Sequence, residues 1–243
     1  GIHSGKCHAF TGYHNRGSGN KHYKRDASSG WEVSINPPAY CKGTIEFAGE
    51  LYGAFASLYK LEADETAWTK IGTQTIDDAY SPANLVEHTG TIHILCRRDN
   101  TSYHKKLESG EIVTISTNPP GGVNGYCACD VGGLLYKGYV ATSSTQIYRF
   151  NDSDASWTQI LTIPEAIVSL FKKNGKLVGF LKGGYYEIDV NTYNYTKHTD
   201  AKFGFAPYDI VFDEKNTMCQ GMGNTDGYAL DVFSLYNKIY KEE

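Results

Sequence analysis

The sequence is poor in methionine and proline and has no long apolar segment. Two Met and seven Pro occur among 243 residues, and no apolar run approaches the ~20 residues that a membrane-spanning helix needs. No block of like charge is present either, since 23 Lys and Arg stand against 27 Asp and Glu, for a net charge of −4. This balance argues against nucleic-acid binding and against membrane binding. Hydrophobic residues make up 40% and charged residues 21%, which suffices for a buried core and excludes a disordered chain.

The six cysteines do not form a recognisable metal-binding motif. They stand at 7, 41, 96, 127, 129 and 219, with no Cys-x-x-Cys. Cys127 and Cys129 would share one face of a strand, and no second pair is nearby to complete a four-ligand zinc site. Buried thiols are the favoured interpretation, with a cross-strand disulfide as the alternative. The redox compartment stays open.

The N-terminus lacks the features of a secretion signal. Residues 1–4, GIHS, include no Met, no basic segment and no apolar segment, all of which a signal peptide would combine. We expect either a cut within a longer chain or a remnant of cloning.

Tyrosine and glycine are abundant, and segment 167–199 shows how they are used. The 19 Tyr and 26 Gly are typical of strands and turns. Two apolar runs flank Asn174-Gly175, the pair that best suits a two-residue type I′ turn because both positions take positive φ. Gly183-Gly184 and Asn191-Thr192 mark two further turns. The segment is therefore predicted to be a four-stranded antiparallel meander.

Three markers repeat this meander along the chain at intervals of 40 to 44 residues. The first is the turn position occupied by Gly5, Gly49, Gly90, Gly133, Gly175 and Lys215. The second is an aromatic residue in the third strand followed by a large residue in the fourth: Tyr23/Trp31, Tyr59/Trp68, Tyr103/Ile112, Tyr148/Trp157 and Tyr186/Tyr195. The third is that all seven prolines fall between a fourth strand and the next first strand, because proline cannot donate to a sheet.

Six such units predict an all-β fold, a six-bladed β-propeller of four-stranded antiparallel blades. One such sheet leaves both faces uncovered, and radial packing buries them. The chain 1–243 is then a single domain with blades at about 1–38, 39–78, 79–120, 121–165, 166–204 and 205–243. The first blade is expected to be incomplete because its first strand is short. Trp31, Trp68 and Trp157 are expected in the packing between blades.

Two of the units carry sequence motifs found in a known family. Residues 20–38, NKHYKRDASSGWEVSINPP, and the motifs TIHIL, SYHKK and NPP within 91–120 resemble the Kelch-like repeats of tail and receptor-binding proteins of phages that infect Firmicutes. The likeness extends more weakly to all six units. It implies a Kelch-like propeller that serves as a receptor-binding module in the virion, and a homo-oligomer, a trimer, formed through a region outside this chain.

Enzymatic motifs are absent from the sequence. There is no G-x-S-x-G, H-E-x-x-H, P-loop or G-x-G-x-x-G before a helix, the patterns that mark common catalytic and nucleotide sites. Residues 153–157, SDASW, are only loosely similar to a sialidase Asp-box and are interpreted as a polar turn. His22 and His104 occupy matching repeat positions, which indicates structural repetition. We expect no catalytic residue, no metal (a galactose-oxidase-like copper site included) and no cofactor.

The loops that join second to third strands are expected to share one face of the propeller with the connections between blades. They are predicted at 13–21, 97–102, 141–145, 182–184 and 223–227, and they vary in length and content, as recognition loops do. The connections add a recurring tyrosine, which offers apolar area and a hydroxyl for sugar rings. The candidate ligand-binding residues are Tyr13, His14, Arg16, Tyr40, Tyr80, Arg97, Arg98, Asp99, Tyr126 and Tyr208. The alternative is that these tyrosines cap the inner strands.

The first functional hypothesis is a non-enzymatic recognition domain of a phage tail that binds a cell-surface glycan of a Gram-positive host through this face. A protein receptor is the other partner considered, and a Kelch-type protein-interaction adaptor is the main alternative. A secreted lectin or glycan-active propeller is the third. For that reading, Asn100, Asn151 and Asn194 lie in glycosylation sequons, which matter only in a eukaryotic secretory pathway. Without the family resemblance, a secreted and a cytoplasmic location are both open.

Overall fold

Antiparallel four-stranded sheets make up most of the secondary structure. The computed structural model describes residues 2–3, 6–11, 21–25, 31–39, 41, 43–76, 84–98, 101–115, 120, 127–167, 169–181, 184–199, 209–212 and 218–221. These residues form five four-stranded sheets and one two-stranded sheet. Each four-stranded sheet has its strands in chain order, which is the meander predicted from the repeat.

The strands follow one another along the chain, sheet by sheet. Sheet A contains β1 (Ile2–His3), β2 (Lys6–Thr11), β3 (Lys21–Arg25) and β4 (Glu32–Val33). Sheet B contains β5 (Gly43–Phe47), β6 (Glu50–Ala54), β7 (Leu58–Leu61) and β8 (Trp68–Ile71). Sheet C contains β9 (Asn84–His88), β10 (Thr91–Arg98), β11 (Thr101–Glu108) and β12 (Glu111–Thr114). Sheet D contains β13 (Cys127–Val131), β14 (Leu134–Ala141), β15 (Ser144–Asn151) and β16 (Ser156–Ile163). Sheet E contains β17 (Ser169–Lys173), β18 (Lys176–Leu181), β19 (Gly184–Ile188) and β20 (Tyr195–His198), and sheet F contains β21 (Asp209–Phe212) and β22 (Met218–Gly221).

Tight turns with positive φ join first to second strands, as the sequence predicted. At Asn174 and Gly175, φ is +50° and +74°, which are the values that a type I′ turn requires at its two central positions. The equivalent pairs Ala48-Gly49, Thr89-Gly90 and Gly132-Gly133 have positive φ as well. Asn tolerates this left-handed region and Gly enters it without strain. The repeating Gly therefore marks a real structural position.

Two of the predicted loops are wrong because the strands on either side continue through them. β10 runs to Arg98 and β11 begins at Thr101, so segment 97–102 is mostly a ladder in which Arg97 lies opposite Ser102. Segment 141–145 is also largely strand, with Ala141 opposite Ser144 and a turn at 142–143. Thr101, Val140 and Thr145 are β-branched, a class of residue that favours strands, and each ladder extends almost to the tip of its hairpin.

The first strands of successive sheets lie side by side. The chain divides into two compact units, residues 1–122 with 151–157 and residues 123–150 with 158–243. In the first unit β5 lies beside both β1 and β9, and in the second unit β17 lies beside both β13 and β21. This is the arrangement that blades take when their first strands are innermost. The assignment of the whole chain to one domain stays a prediction.

Each unit has an apolar core between neighbouring sheets. In the first unit the core comprises Tyr52, Ala54, Leu58, Ile76, Ile92, Ile94, Cys96 and Ile112. In the second it comprises Val131, Tyr136, Ile147, Ile163, Ile167, Leu170, Leu177, Leu181, Tyr186 and Ile188. Both sets combine residues from facing sheets, so the hydrophobic effect is the main force holding the sheets together.

The tryptophans at 68 and 157 lie in this packing, as predicted. The Trp68 ring makes edge contacts with Phe10 and Phe55, and the Trp157 ring lies 5.3 Å from the ring of His104. Aromatic contacts of this kind add stability beyond the area they bury.

The prediction of buried thiols is confirmed at one position. Cys96 is buried, and its Sγ lies 3.4 Å from the carbonyl oxygen of Ile76. Cys41 and Cys129 are also thiols but are half-buried. The side chains of the other three cysteines lie outside the described residues.

In the sixth repeat the structure describes one pair of strands. β21 and β22 pair antiparallel, with Phe212 opposite Met218, and the turn predicted at 213–216 lies outside the described residues. The strand predicted at 234–240, and with it the closure of the ring, lies outside the described residues. The described residues contain no helix long and apolar enough to cross a membrane.

Candidate functional site

Most of the predicted ligand-binding residues lie outside the part of the chain that the structure describes. Arg97 and Arg98 are placed at the end of β10, although their side chains are not described. The other eight are Tyr13, His14, Arg16, Tyr40, Tyr80, Asp99, Tyr126 and Tyr208. Their convergence on one site therefore stays a prediction.

The two kinds of connection expected on one face do lie together in each unit. In the first unit, the Ile76 amide of the connection after sheet B donates to the Ala56 carbonyl in the β6–β7 loop, at 3.0 Å. In the second unit, the Thr145 hydroxyl at the start of β15 donates to the Glu165 carbonyl at 2.9 Å and accepts from the Ile167 amide at 2.7 Å. We call this end the connection face of each unit, and its loops are held by these hydrogen bonds.

Two hairpins have long ladders between their second and third strands. The β10–β11 ladder continues for three residues beyond Leu95 and ends with Arg98 opposite Thr101. The β14–β15 ladder continues to Ala141 opposite Ser144. We call these segments the β10–β11 tip (residues 96–98 and 101–103) and the β14–β15 tip (residues 139–146).

The β14–β15 tip presents hydroxyls and one aromatic ring but no charge. Tyr139, Val140 and Ala141 are half-buried, while Thr142 and Ser143 are exposed. Such side chains can stack on and hydrogen-bond to a polyhydroxylated ligand. They supply no group that would act as an acid or base near neutral pH.

Glu165, whose carbonyl oxygen accepts the hydrogen bond from Thr145 of this tip, has its carboxylate engaged in structural contacts. Its carboxylate accepts hydrogen bonds from Lys197 Nζ, at 2.8 Å, and from the Tyr186 hydroxyl. These two hydrogen bonds hold the pKa of Glu165 below its usual value, while burial and Glu165 together raise the pKa of Tyr186. A carboxylate ionised and fixed in this way is poorly suited to be a general acid.

The histidines form two equivalent buried pairs that sequence reasoning did not foresee. His8 Nδ1 lies 2.8 Å from His22 Nε2, and His93 Nδ1 lies 2.8 Å from His104 Nε2. In each pair the first imidazole is on the second strand of a sheet and the other is on the third strand, in sheets A and C. One ring nitrogen donates and the other accepts, so a pair with both rings protonated would lose this hydrogen bond.

Burial dominates the electrostatics of the first pair. It lowers the pKa of His22 to about 4, against the opposing effects of Glu65 and the Ile35 carbonyl. The Phe10 ring is stacked on His22 at 4.4 Å between centroids, and Trp68 lies at 5.7 Å. Glu65 itself is partly buried, which would raise its pKa, but Lys24 and Lys6 outweigh this and lower it. His22 is therefore neutral at neutral pH, as a structural imidazole.

A third contact involves His88 and the polar turn at 151–155. His88 Nε2 lies 3.1 Å from both carboxylate oxygens of Asp152, and the His88 ring meets that of His93 edge to face. Within the described ranges, no three His, Cys, Asp or Glu side chains are grouped so that they could hold a metal ion.

The polar turn predicted at 153–157 is confirmed. Asp154 Oδ1 accepts hydrogen bonds from the Ser156 amide at 3.1 Å and from the Ser156 hydroxyl at 2.7 Å, which lowers the pKa of Asp154. Asp64 makes the same contacts with Thr66. Both are side-chain turns of the kind that Asp favours.

A signal for the histidine pairs was present in the repeat. The residue three positions after each recurring turn Gly is His8, Tyr52, His93, Tyr136 or Val178. In sheets A and C this position is His and a second His follows in the third strand, whereas sheet B combines Tyr52 with Leu58. Alignment of the units by strand register, rather than by turn alone, would have predicted the two pairs.

Comparison with solved structures identifies the fold. A streptogramin B lyase aligns with a TM-score of 0.60 and 13% identity, covering 82% of this chain and 68% of its own. A structural-genomics target assigned as a gluconolactonase aligns with a TM-score of 0.63 and 10% identity, covering 82% and 77%. The extracellular domain assigned to a hybrid two-component system of B. thetaiotaomicron gives 0.58 and 11%, covering 86% of this chain and 30% of its own. No protein-family model and no curated protein sequence matches the chain.

These similarities make the fold an all-β propeller. At identities of 10 to 13% they establish the fold alone, because one fold hosts many unrelated functions.

Proposed function

We propose that this propeller is a non-enzymatic recognition domain that binds carbohydrate through the connection faces of its units. The observation that carries the proposal is the pair of tips, in which the ladders of β10 with β11 and of β14 with β15 continue to Arg98 and to Ala141. Loops and tips held by a rigid sheet are where recognition residues are usually found. The finer assignments, to six blades and to the Kelch-like type, rest on the repeat and on the sequence resemblance.

The chemistry of the β14–β15 tip favours a carbohydrate. Its exposed and half-buried side chains supply hydroxyls and one tyrosine ring, Tyr139. Sugar rings offer an apolar face for stacking and many hydroxyls for hydrogen bonds, which such a surface complements. In the first unit, Arg97 and Arg98 at the end of β10 are donors that suit acidic or phosphorylated glycans.

The use of the titratable groups supports binding rather than catalysis. His8, His22, His93 and His104 are buried and hydrogen-bonded in pairs, and Glu165 is ion-paired. Solved propellers of similar fold include a lyase and a puromycin hydrolase, so an enzymatic role is the competing function that the experiment must address.

The biological setting we propose comes from the sequence resemblance. A receptor-binding module of a phage tail, located in the virion and trimeric through a segment outside this chain, would meet the cell-surface glycans of a Gram-positive host. A protein receptor or a Kelch-type protein partner would use the same faces.

A glycan array probed with the full chain tests the proposal. We expect binding to bacterial cell-wall or capsular glycans, and we expect Tyr139→Ala and Arg98→Ala each to weaken it at least fivefold. Lys172→Ala is the matched control for Arg98→Ala because it removes one exposed cation two residues from the Asn174-Gly175 turn. Binding of no glycan by the chain in its oligomeric form, or equal weakening by the control, would contradict the proposal, and turnover of a bound glycan would favour an enzyme.

A further inference from the structure

The outermost strand of sheet D differs from the outermost strands of the other sheets. β16 has eight residues, whereas β4 has two and β8, β12 and β20 have four each. It is the last strand of its sheet, and among the described residues no further strand pairs with it. A long outer strand of this kind leaves a row of main-chain groups along one edge.

β16 is also the one outer strand of the five described four-stranded sheets without a charged side chain. The others each carry an exposed charge: Glu32, Lys70, Glu111 and Lys197. β16 reads SWTQILTI, with neither charge nor proline. Charged residues, proline and short length are the means by which proteins prevent unwanted pairing at sheet edges, and β16 has none of the three.

We propose that residues 159–163 of β16 form a docking edge for an extended, uncharged peptide that adds a fifth strand to sheet D. Main-chain hydrogen bonds would supply the affinity, and alternate side chains of the peptide would supply selectivity. Gln159 and Thr162 are exposed beside this edge, and their side chains are hydrogen-bonded to one another at 3.0 Å. Ile160 and Leu161 pack partly on the core of the second unit, which keeps the edge rigid.

The size of the edge favours a peptide over a second copy of the chain. Five residues span roughly 17 Å, and a sheet is roughly 10 Å thick, so the edge offers on the order of 200 Å² per partner. A stable interface between folded proteins needs about 800 Å² per partner. A flexible peptide needs only the four or five main-chain hydrogen bonds, each worth roughly a factor of five in affinity, for a Kd on the order of 1 mM or somewhat tighter.

Amide chemical-shift mapping of the full ¹⁵N-labelled chain tests the proposal. The probe is the uncharged synthetic peptide SGTVTITVGS with acetylated and amidated ends, and its control is SGTVPIPVGS with the same ends, in which proline prevents continuous pairing. We expect the first peptide to shift amides in 159–163 and in the adjoining part of β15. The control peptide should shift none of them.

Two variants locate the contact. Thr162→Lys and Gln159→Lys each place a cation beside the edge and should weaken binding at least fivefold. Thr196→Lys makes the same change at an exposed position of β20 and should leave binding unchanged. Equal binding of the two peptides, shifts elsewhere in the molecule, insensitivity to both β16 variants, or self-association of the protein through β16 without peptide would each overturn the proposal.

Discussion

Acid should destabilise this propeller through the buried pair of His8 and His22. The pKa of His22 is lowered from an ordinary value near 6.5 to about 4 in the folded protein, chiefly by burial. The unfolded chain therefore takes up a proton at a higher pH than the folded chain does. The stability that depends on neutral His22 is present above about pH 6.5 and is lost as the pH falls towards 4.

The size of the effect follows from the two pKa values. Proton linkage gives a loss of roughly 2 kcal/mol in the free energy of unfolding between pH 7 and pH 5, and about 3 kcal/mol by pH 4. The matched variant is His8→Tyr combined with His22→Leu, because Tyr52 and Leu58 occupy the equivalent positions of sheet B. This variant gives sheet A the side-chain pair that sheet B has at these positions, and it removes both imidazoles.

Urea unfolding monitored by tryptophan fluorescence measures the difference. Between pH 7 and pH 5 the original chain should lose about 2 kcal/mol more stability than the double variant. The reasoning is refuted if both proteins lose the same amount over this range while both remain folded at pH 7. A larger difference would point to an added contribution from His8, whose ring is also buried.

Three further predictions concern the scaffold. Gly175 has φ +74° and no atom within 4 Å of an added Cβ. Gly175→Ala should therefore lower the free energy of unfolding by about 1 kcal/mol through backbone strain alone, and Gly175→Asn should lower it less. Equal losses of stability for the two variants in chemical denaturation would contradict this explanation. An added Cβ at Gly179 would lie 2.5 Å from Ile167 Cδ1. Gly179→Ala should therefore lower the free energy of unfolding by roughly 1–3 kcal/mol, and Ile167→Val should restore part of this loss. A double-mutant cycle that finds no coupling between the two positions would exclude the clash. Thr145→Val should lower the free energy of unfolding by roughly 1–3 kcal/mol, because the Glu165 carbonyl and the Ile167 amide lose their hydrogen-bond partner, the Thr145 hydroxyl. An unchanged melting temperature would show that these hydrogen bonds contribute little to stability.

Much of the fold could be predicted because its signals are local and recur. The Asn174-Gly175 turn needs positive φ twice, and that requirement is visible in the two residues themselves. Repetition of the same turn at Gly49, Gly90 and Gly133 then indicated the sheets, and their four-stranded form is as expected. The repeat was therefore a stronger guide than any single segment.

The features that the sequence did not predict correctly depend on pairing between segments of the chain. Arg97 and Arg98 suggested a polar loop, yet they continue β10 because Ser102 and Thr101 lie opposite them in β11. The pairing of His93 with His104 depends on a diagonal contact across two strands, which composition and turn position do not specify. The binding residues proposed at Tyr40, Tyr80, Tyr126 and Tyr208 lie outside the described residues, so this part of the site rests on sequence alone.

Binding of the full chain to purified Gram-positive cell walls, with the wall glycan analysed by mass spectrometry afterwards, tests the central claim most directly. Our account predicts that the chain is retained, that periodate oxidation of the glycan abolishes retention, and that the recovered glycan is chemically unchanged. Retention that survives periodate oxidation, or a glycan cleaved or modified by the chain, would contradict the claim that this propeller recognises carbohydrate without catalysis.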